Sequence, residues 1–108
     1  MDIVFGPEAD EDVTAAVIWY HGRSPGLEDR FLHEVDVALS YLKERPHAFP
    51  HISEDLRQIS VARFPYVIVY AHIGNVVEVV RVFHSEQDER RNTIWNYKID
   101  QKRLAVLR

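Results

Sequence analysis

After a short apolar run at the N-terminus, hydrophobic spacing along the chain is helical up to Glu54 and strand-like beyond it. Ile3-Val4-Phe5 is a short apolar run stopped by Gly6-Pro7 and predicts a first strand. Pro7 suits the first turn of a helix, where its missing N–H is not needed, and Glu8, Asp10, Glu11 and Asp12 put negative charge at the positive end of the helix dipole. Val13, Ala16, Val17 and Tyr20 recur at i, i+3, i+4 and i+7, one apolar face of a helix that ends near His21-Gly22. Ser24 and Pro25 predict the N-cap and first position of a second helix. Its buried stripe is Leu27, Phe31, Val35, Ala38, Leu39 and Leu42, and Pro46 and Pro50 bracket the loop that ends it. So short a link between the two helices implies an antiparallel hairpin.

Beyond Glu54 the pattern is that of strands: Leu56 to Val61, Tyr66 to Ile73 and Val76 to Phe83, rich in Val, Ile and Tyr. Gly74-Asn75 is a two-residue hairpin signal, and it sets a register starting from Ile73 opposite Val76. An unbroken ladder then places Tyr70 opposite Val79, Ile68 opposite Arg81 and Tyr66 opposite Phe83 on one face. Ala71 with Glu78, Val69 with Val80 and Val67 with Val82 fall on the other. Extended further, it pairs Pro65 with His84 and Arg63 with Glu86, gathering Arg63, His84 and Glu86 on one face at one end of the sheet. Both faces are apolar, so the hairpin is expected to lie centrally, with helices on one side and partial cover on the other. The fold class is therefore α+β: an N-terminal strand, a two-helix antiparallel hairpin, then a three-stranded antiparallel sheet packed on the helices. Residues 1–95 form the domain, and 96–108 a tail or short helix packed on it, with Trp95 and Tyr97 as anchors.

At 108 residues there is room for one core, and 46% hydrophobic composition can fill it without a staple. With no cysteine, disulfides and thiolate chemistry are excluded, which fits a reducing cytoplasm. The acidic N-terminus does not resemble a secretory signal, and no apolar run approaches the roughly 20 residues of a membrane span, so no membrane partner is expected. The net charge of −4 conceals an asymmetry: residues 1–54 sum to −7 and residues 55–108 to +3. The basic half is where an anionic partner would dock, although a pI of about 5.8 is low for a dedicated nucleic-acid binder. His47 and His51 stand four apart, but Pro46 and Pro50 argue against a helix there, and neither a metal nor another cofactor is expected.

Arg57-Gln58-Ile59-Ser60-Val61-Ala62-Arg63-Phe64-Pro65-Tyr66-Val67-Ile68-Val69-Tyr70, followed by Val80-Arg81-Val82-Phe83-His84, resembles the core signature of the RelE/ParE toxins. Pro25-Gly26-Leu27, Phe31 and the helix stop from Leu42 to Pro46 match the same family's second helix, so the resemblance spans roughly residues 3 to 95. It implies the toxin half of a type II toxin–antitoxin (plasmid stabilisation) system, neutralised by a cognate antitoxin whose disordered segment folds onto it. One branch of the family cleaves mRNA on the ribosome and the other poisons DNA gyrase. A degenerate member would keep only the antitoxin-binding surface, and assembly as a homodimer or a toxin–antitoxin hetero-oligomer is compatible with each.

Metal-independent RNA cleavage needs a base, a proton donor and a cation on the scissile phosphate. In the RelE-like reading His84 supplies the acid or base, Arg63 the phosphate clamp, and Glu54 or Glu86 a base. The structural alternative is that His84 caps its strand and Arg63 pairs with Glu86 or a carbonyl. Arg57, Arg63, Tyr70, Arg81, Arg90 and Arg91 are the candidate residues for holding target or antitoxin. Arg81 has a structural alternative as the partner of a helix carboxylate such as Asp36, and Arg90-Arg91 that of a solvated loop. The acidic Ser85-Glu86-Gln87-Asp88 and the modest basicity of the sheet half favour the ParE-like branch.

Overall fold

The computed structural model describes residues 1–85. In chain order the elements are β1 (Asp2–Phe5), α1 (Pro7–Arg23), α2 (Leu27–Glu44), β2 (Arg57–Ser60), β3 (Tyr66–Ile73) and β4 (Val76–His84). The strands form one sheet in the order β1-β4-β3-β2. The antiparallel trio expected from the sequence is present, and β1 extends it to four strands by pairing parallel to β4, from Asp2 opposite Val76 to Phe5 opposite Val79. Parallel partners are joined by long crossovers, so no turn motif advertises the pairing.

Pro7 sits in the first turn of α1 as the sequence predicts. The second helix starts later than expected. Ser24 is not its N-cap; the cap position belongs to Gly26, at φ 96° and ψ −16°. The Leu27 N–H donates to the Ser24 carbonyl at 2.9 Å, closing a four-residue turn. Proline at its second position and a left-handed glycine at its third are the requirements of a type II turn, so Ser24-Pro25-Gly26 serves the hairpin link and not the helix.

The helical hairpin covers one face of the sheet. Ala9 and Ala16 of α1, and Phe31, Val35, Ala38 and Leu42 of α2, bury themselves against Ile59, Ile68, Tyr70, Val77, Val79 and Val82. At one end Tyr20, Phe31, Phe64 and Tyr66 interlock, with ring centroids 5.0–6.2 Å apart and mostly tilted or edge-on, the arrangement the ring quadrupoles favour. On the opposite face Val67, Val69, Ala71, Ile73, Val80 and Phe83 form a second cluster with Leu56.

The expected register holds from Ile73–Val76 to Tyr70–Val79 and then shifts, with Val69 opposite Arg81 and Tyr66 opposite His84. Val80 is the extra residue of a β-bulge. Because side chains alternate with period two, the insertion exchanges faces downstream. Val82 joins the helix-side core and Phe83 the far cluster, the reverse of an unbroken ladder. The pairings of Ile68 with Arg81, Tyr66 with Phe83 and Pro65 with His84 are accordingly corrected. The expected boundary between residues 95 and 96 lies outside the described residues, as do the anchors Trp95 and Tyr97.

Candidate functional site

Arg63 lies in the tight link between β2 and β3, where the Val61 N–H donates to the Tyr66 carbonyl at 2.9 Å and the Tyr66 N–H to the Phe64 carbonyl at 2.8 Å. So short a reversal demands a left-handed residue, and Arg63 supplies it with φ 67°. That conformation costs a non-glycine residue roughly 1–2 kcal/mol. Phe64 is driven into the aromatic cluster, while the Arg63 side chain stays 83% exposed with its guanidinium 3.7 Å from Glu34 of α2. His84 lies opposite Tyr66 at the same end of the sheet, the two rings 5.5 Å apart and edge-on. The Ser85 N–H continues the ladder to the Pro65 carbonyl at 2.8 Å. Arg63 and His84 therefore share an end of the fold, but each engages a different neighbour, Glu34 for one and Tyr66 for the other. Glu86, Arg90 and Arg91 lie outside the described residues, and Glu54 is exposed in the loop before β2.

The remaining named residues hold the fold together. Arg57 and Tyr70 are cross-strand partners whose polar ends both turn onto the loop after α2. One Arg57 nitrogen donates to the carbonyls of His47 (3.1 Å) and Phe49 (2.7 Å), and the Tyr70 hydroxyl to that of Pro46 (2.8 Å). Tyr70 is fully buried, and burial pushes its phenol up to about 12, with the Arg57 charge pulling the other way. Arg81 grips α1: its Nε donates to Asp12 Oδ2 at 2.8 Å and its Nη2 to Oδ1 at 3.0 Å, while the Val82 N–H donates to Oδ2 at 2.9 Å. The helix carboxylate it meets is thus Asp12, not Asp36. Spacing pointed to neither, because the partners stand 69 residues apart and the bulge sets where Arg81 emerges.

Sequence reasoning set His47 beside His51 and did not foresee its meeting with His72: the His47 and His72 rings lie edge-on at 4.5 Å beside Arg57. Burial, then the neighbouring His47 and Arg57 charges, hold His72 below the ordinary histidine value, against a bond with the Gly74 backbone. Period-two spacing could have placed His72 on the strand, but nothing local brings His47 to it. Among the described residues no group of three or more His, Cys, Asp or Glu side chains could hold a metal. Nor is any helix there long and apolar enough to cross a membrane.

Two hollows run along α2 and meet at Glu34. One, of about 440 Å³, lies between Tyr41 and Val37 of α2 and Phe49, Gln58 and Ile59. The other, of about 530 Å³, lies between Leu27, Arg30 and His33 and the Arg63-Phe64 turn. Two open neighbouring hollows, one largely apolar and one rimmed by charge, with Glu34 common to both, suit a polypeptide partner better than a small metabolite.

The family model for the ParE toxin of the type II toxin–antitoxin system parDE matches residues 3–89. No curated protein sequence matches the chain. Among solved structures, one described as a chromosomal ParDE TA system from P. aeruginosa superposes with a TM-score of 0.60 at 16% identity, covering 80% of this chain and 97% of that one. At that identity the superposition speaks for the fold alone, and it agrees with the strand, helical hairpin and sheet described above. The family model carries the assignment, since it takes in every described element from β1 to β4: this chain belongs to the family of ParE toxins of type II toxin–antitoxin systems.

Proposed function

We propose that this chain blocks growth in the cytoplasm by binding a protein target such as DNA gyrase, and that a cognate antitoxin neutralises it by covering the same molecule. The observation that carries the reading is the family match over residues 3–89. The disposition of the cations supports it. Arg57 and Arg81 are spent on the fold, and Arg63 stands exposed beside a carboxylate at the rim of the hollow between α2 and its own turn. A chain with a pI of about 5.8 is poorly equipped to neutralise a run of phosphates. In this reading Arg63 touches the target or antitoxin, as do Arg90 and Arg91, while Arg57, Tyr70 and Arg81 act by shaping the surface that does.

The test is induction of the chain alone with DNA and protein synthesis followed separately, together with gyrase supercoiling in vitro. Early loss of DNA synthesis and inhibited supercoiling are expected. Supercoiling that survives a large excess of folded protein would sink the gyrase target. An early fall in protein synthesis, relieved by Arg63→Ala and His84→Ala, would favour a RelE-like ribosome-dependent mRNA endonuclease instead. Undisturbed growth with soluble, folded protein would leave an antitoxin-binding module without toxicity.

A further inference from the structure

The outer face of α1 is not that of a solvated helix. A helix lying on a sheet carries one apolar stripe and is polar elsewhere, and α2 accordingly presents Asp29, Arg30, His33, Asp36 and Lys43 outward. In α1, Ala9, Val13, Ala16, Val17 and Tyr20 pack into the core. Ile18 and Trp19 nevertheless face outward, 68% and 55% exposed, the two most exposed large apolar side chains among the described residues. Thr14, Ala15 and Gly22, also exposed, lie one turn to either side of Ile18 on the same face. A single exposed apolar residue needs no explanation, but a continuous strip along one helix does. Gly22 adds to it. Its backbone is not left-handed, and a Cβ there would meet nothing within 4 Å, so neither a turn nor internal packing calls for glycine. Close approach of another backbone from outside does.

Charge identifies the occupant. The helix begins with Glu8, Asp10 and Glu11, all exposed, and ends on Arg23, whose guanidinium lies 4.2 Å from the centre of the Trp19 ring. Along the outer face the order is therefore acidic, small, large and apolar, then basic. Turned end for end, such a strip is its own complement. A two-fold axis midway along the helix sets Ile18 of one copy over Thr14 and Ala15 of the other, and brings Arg23 to Glu8. Antiparallel helices also oppose their dipoles. A two-fold repeats each contact, so every favourable pair occurs twice.

We propose that two copies of this chain associate through antiparallel α1 helices, with Ile18 and Trp19 of each against Thr14 and Ala15 of the other and Arg23 beside Glu8 at both ends. None of the residues lining the two hollows along α2 belongs to α1, so the two surfaces are distinct. A seam one helix long, about 25 Å, is small beside the roughly 800 Å² per partner that stable complexes bury, so the association is reversible and depends on concentration. This stands whether or not the toxin reading does.

The test is sedimentation velocity of the full chain from low to high micromolar concentration. The weight-average mass should climb from 12.7 kDa toward twice that value. Ile18→Glu, at an exposed position, should leave the circular dichroism spectrum and thermal midpoint unchanged and raise the dimer Kd by roughly tenfold or more. Charge reversal reads the orientation. Arg23→Glu and Glu8→Arg should each weaken self-association, because each sets like charges together twice. An equimolar mixture of the two variants should associate again, since both pairs in the mixed dimer are then opposite in sign. A mass that stays at 12.7 kDa throughout overturns the proposal. So does a dimer indifferent to Ile18→Glu, which would put the seam on another face. Charge variants that associate as tightly as wild type, or a mixture no tighter than its components, would overturn the antiparallel pairing.

Discussion

Two arginines of the sheet half end in opposite circumstances. Arg81 leaves β4 just past the bulge and is 15% exposed, both ends of its guanidinium held by Asp12, itself 2% exposed. Arg63 sits on a strained turn, 83% exposed, with Glu34 at the outer limit of an ion pair. One ties a helix to the sheet through a fixed two-point bond and satisfies a backbone N–H through the same carboxylate. The other contributes almost nothing to the fold and is free to meet a partner. Residue type does not separate the two roles; the number of neighbours fixing the guanidinium does.

The largest effect should come from cutting the buried tie. Asp12→Ala leaves the Arg81 guanidinium and the Val82 N–H facing an apolar wall, and a loss of about 3–5 kcal/mol in urea unfolding is expected. A loss under 1 kcal/mol would place Arg81 on the side of Arg63 and dissolve the contrast.

Next comes the alkaline limb. Tyr70 has its folded value raised from 10.0 to about 12, so its contribution is complete below pH 10 and drains away as pH climbs to 12. The unfolded phenol ionises first, and stability should fall by on the order of 2–3 kcal/mol across that window. Tyr70→Phe should flatten this limb, and at neutral pH should cost about 1 kcal/mol for the lost bond to Pro46. An unchanged alkaline limb in that variant would assign the titration elsewhere.

His72 works in the opposite sense. Its folded value is depressed, so its contribution is present above the ordinary histidine value near 6.5 and is lost as pH falls below it. His72→Gln should therefore weaken the decline in thermal midpoint on acidification through pH 6, measured by circular dichroism. A decline of equal slope in wild type and variant would remove His72 from the account.

The smallest change in stability belongs to Arg63→Ala, expected within about 0.5 kcal/mol of wild type because the pair with Glu34 is long and solvated. Arg63→Gly should be neutral to slightly stabilising, since glycine accepts the left-handed backbone without strain. Growth arrest that disappears in either variant, with the unfolding midpoint unmoved, would give Arg63 the role of contact residue. Destabilisation beyond 1 kcal/mol by Arg63→Gly would mean that the side chain, and not the backbone, holds the turn.

Much of this arrangement is written in local patterns. The apolar stripe of α2, Pro7 at the start of α1 and the Gly74-Asn75 hairpin each follow from spacing or from a residue's permitted dihedrals, which depend on near neighbours only. The β2–β3–β4 order follows from short links. What spacing could not show was long in range or turned on one inserted residue. Ser24-Pro25-Gly26 satisfies either a helix start or a type II turn, and the fold uses it as the turn, with Gly26 left-handed and the Leu27 N–H bonded to the Ser24 carbonyl. Val80 looks like any other valine in an apolar strand, yet its bulge moved Val82 and Phe83 to opposite faces and reset every pairing toward His84.

By itself, then, the sequence determined which segments are helix and strand, which faces of α2 and β3 are apolar, and the family whose signature runs from Arg57 to His84. Tertiary structure decided the rest: the parallel seat of β1 beside β4, the grip of Arg81 on Asp12, the staple of Arg57 and Tyr70 on the loop after α2, and the meeting of His47 with His72. Each of these joins groups that are distant along the chain. Their pairing is set by how two elements pack and how a ladder slips, and no local period records either one.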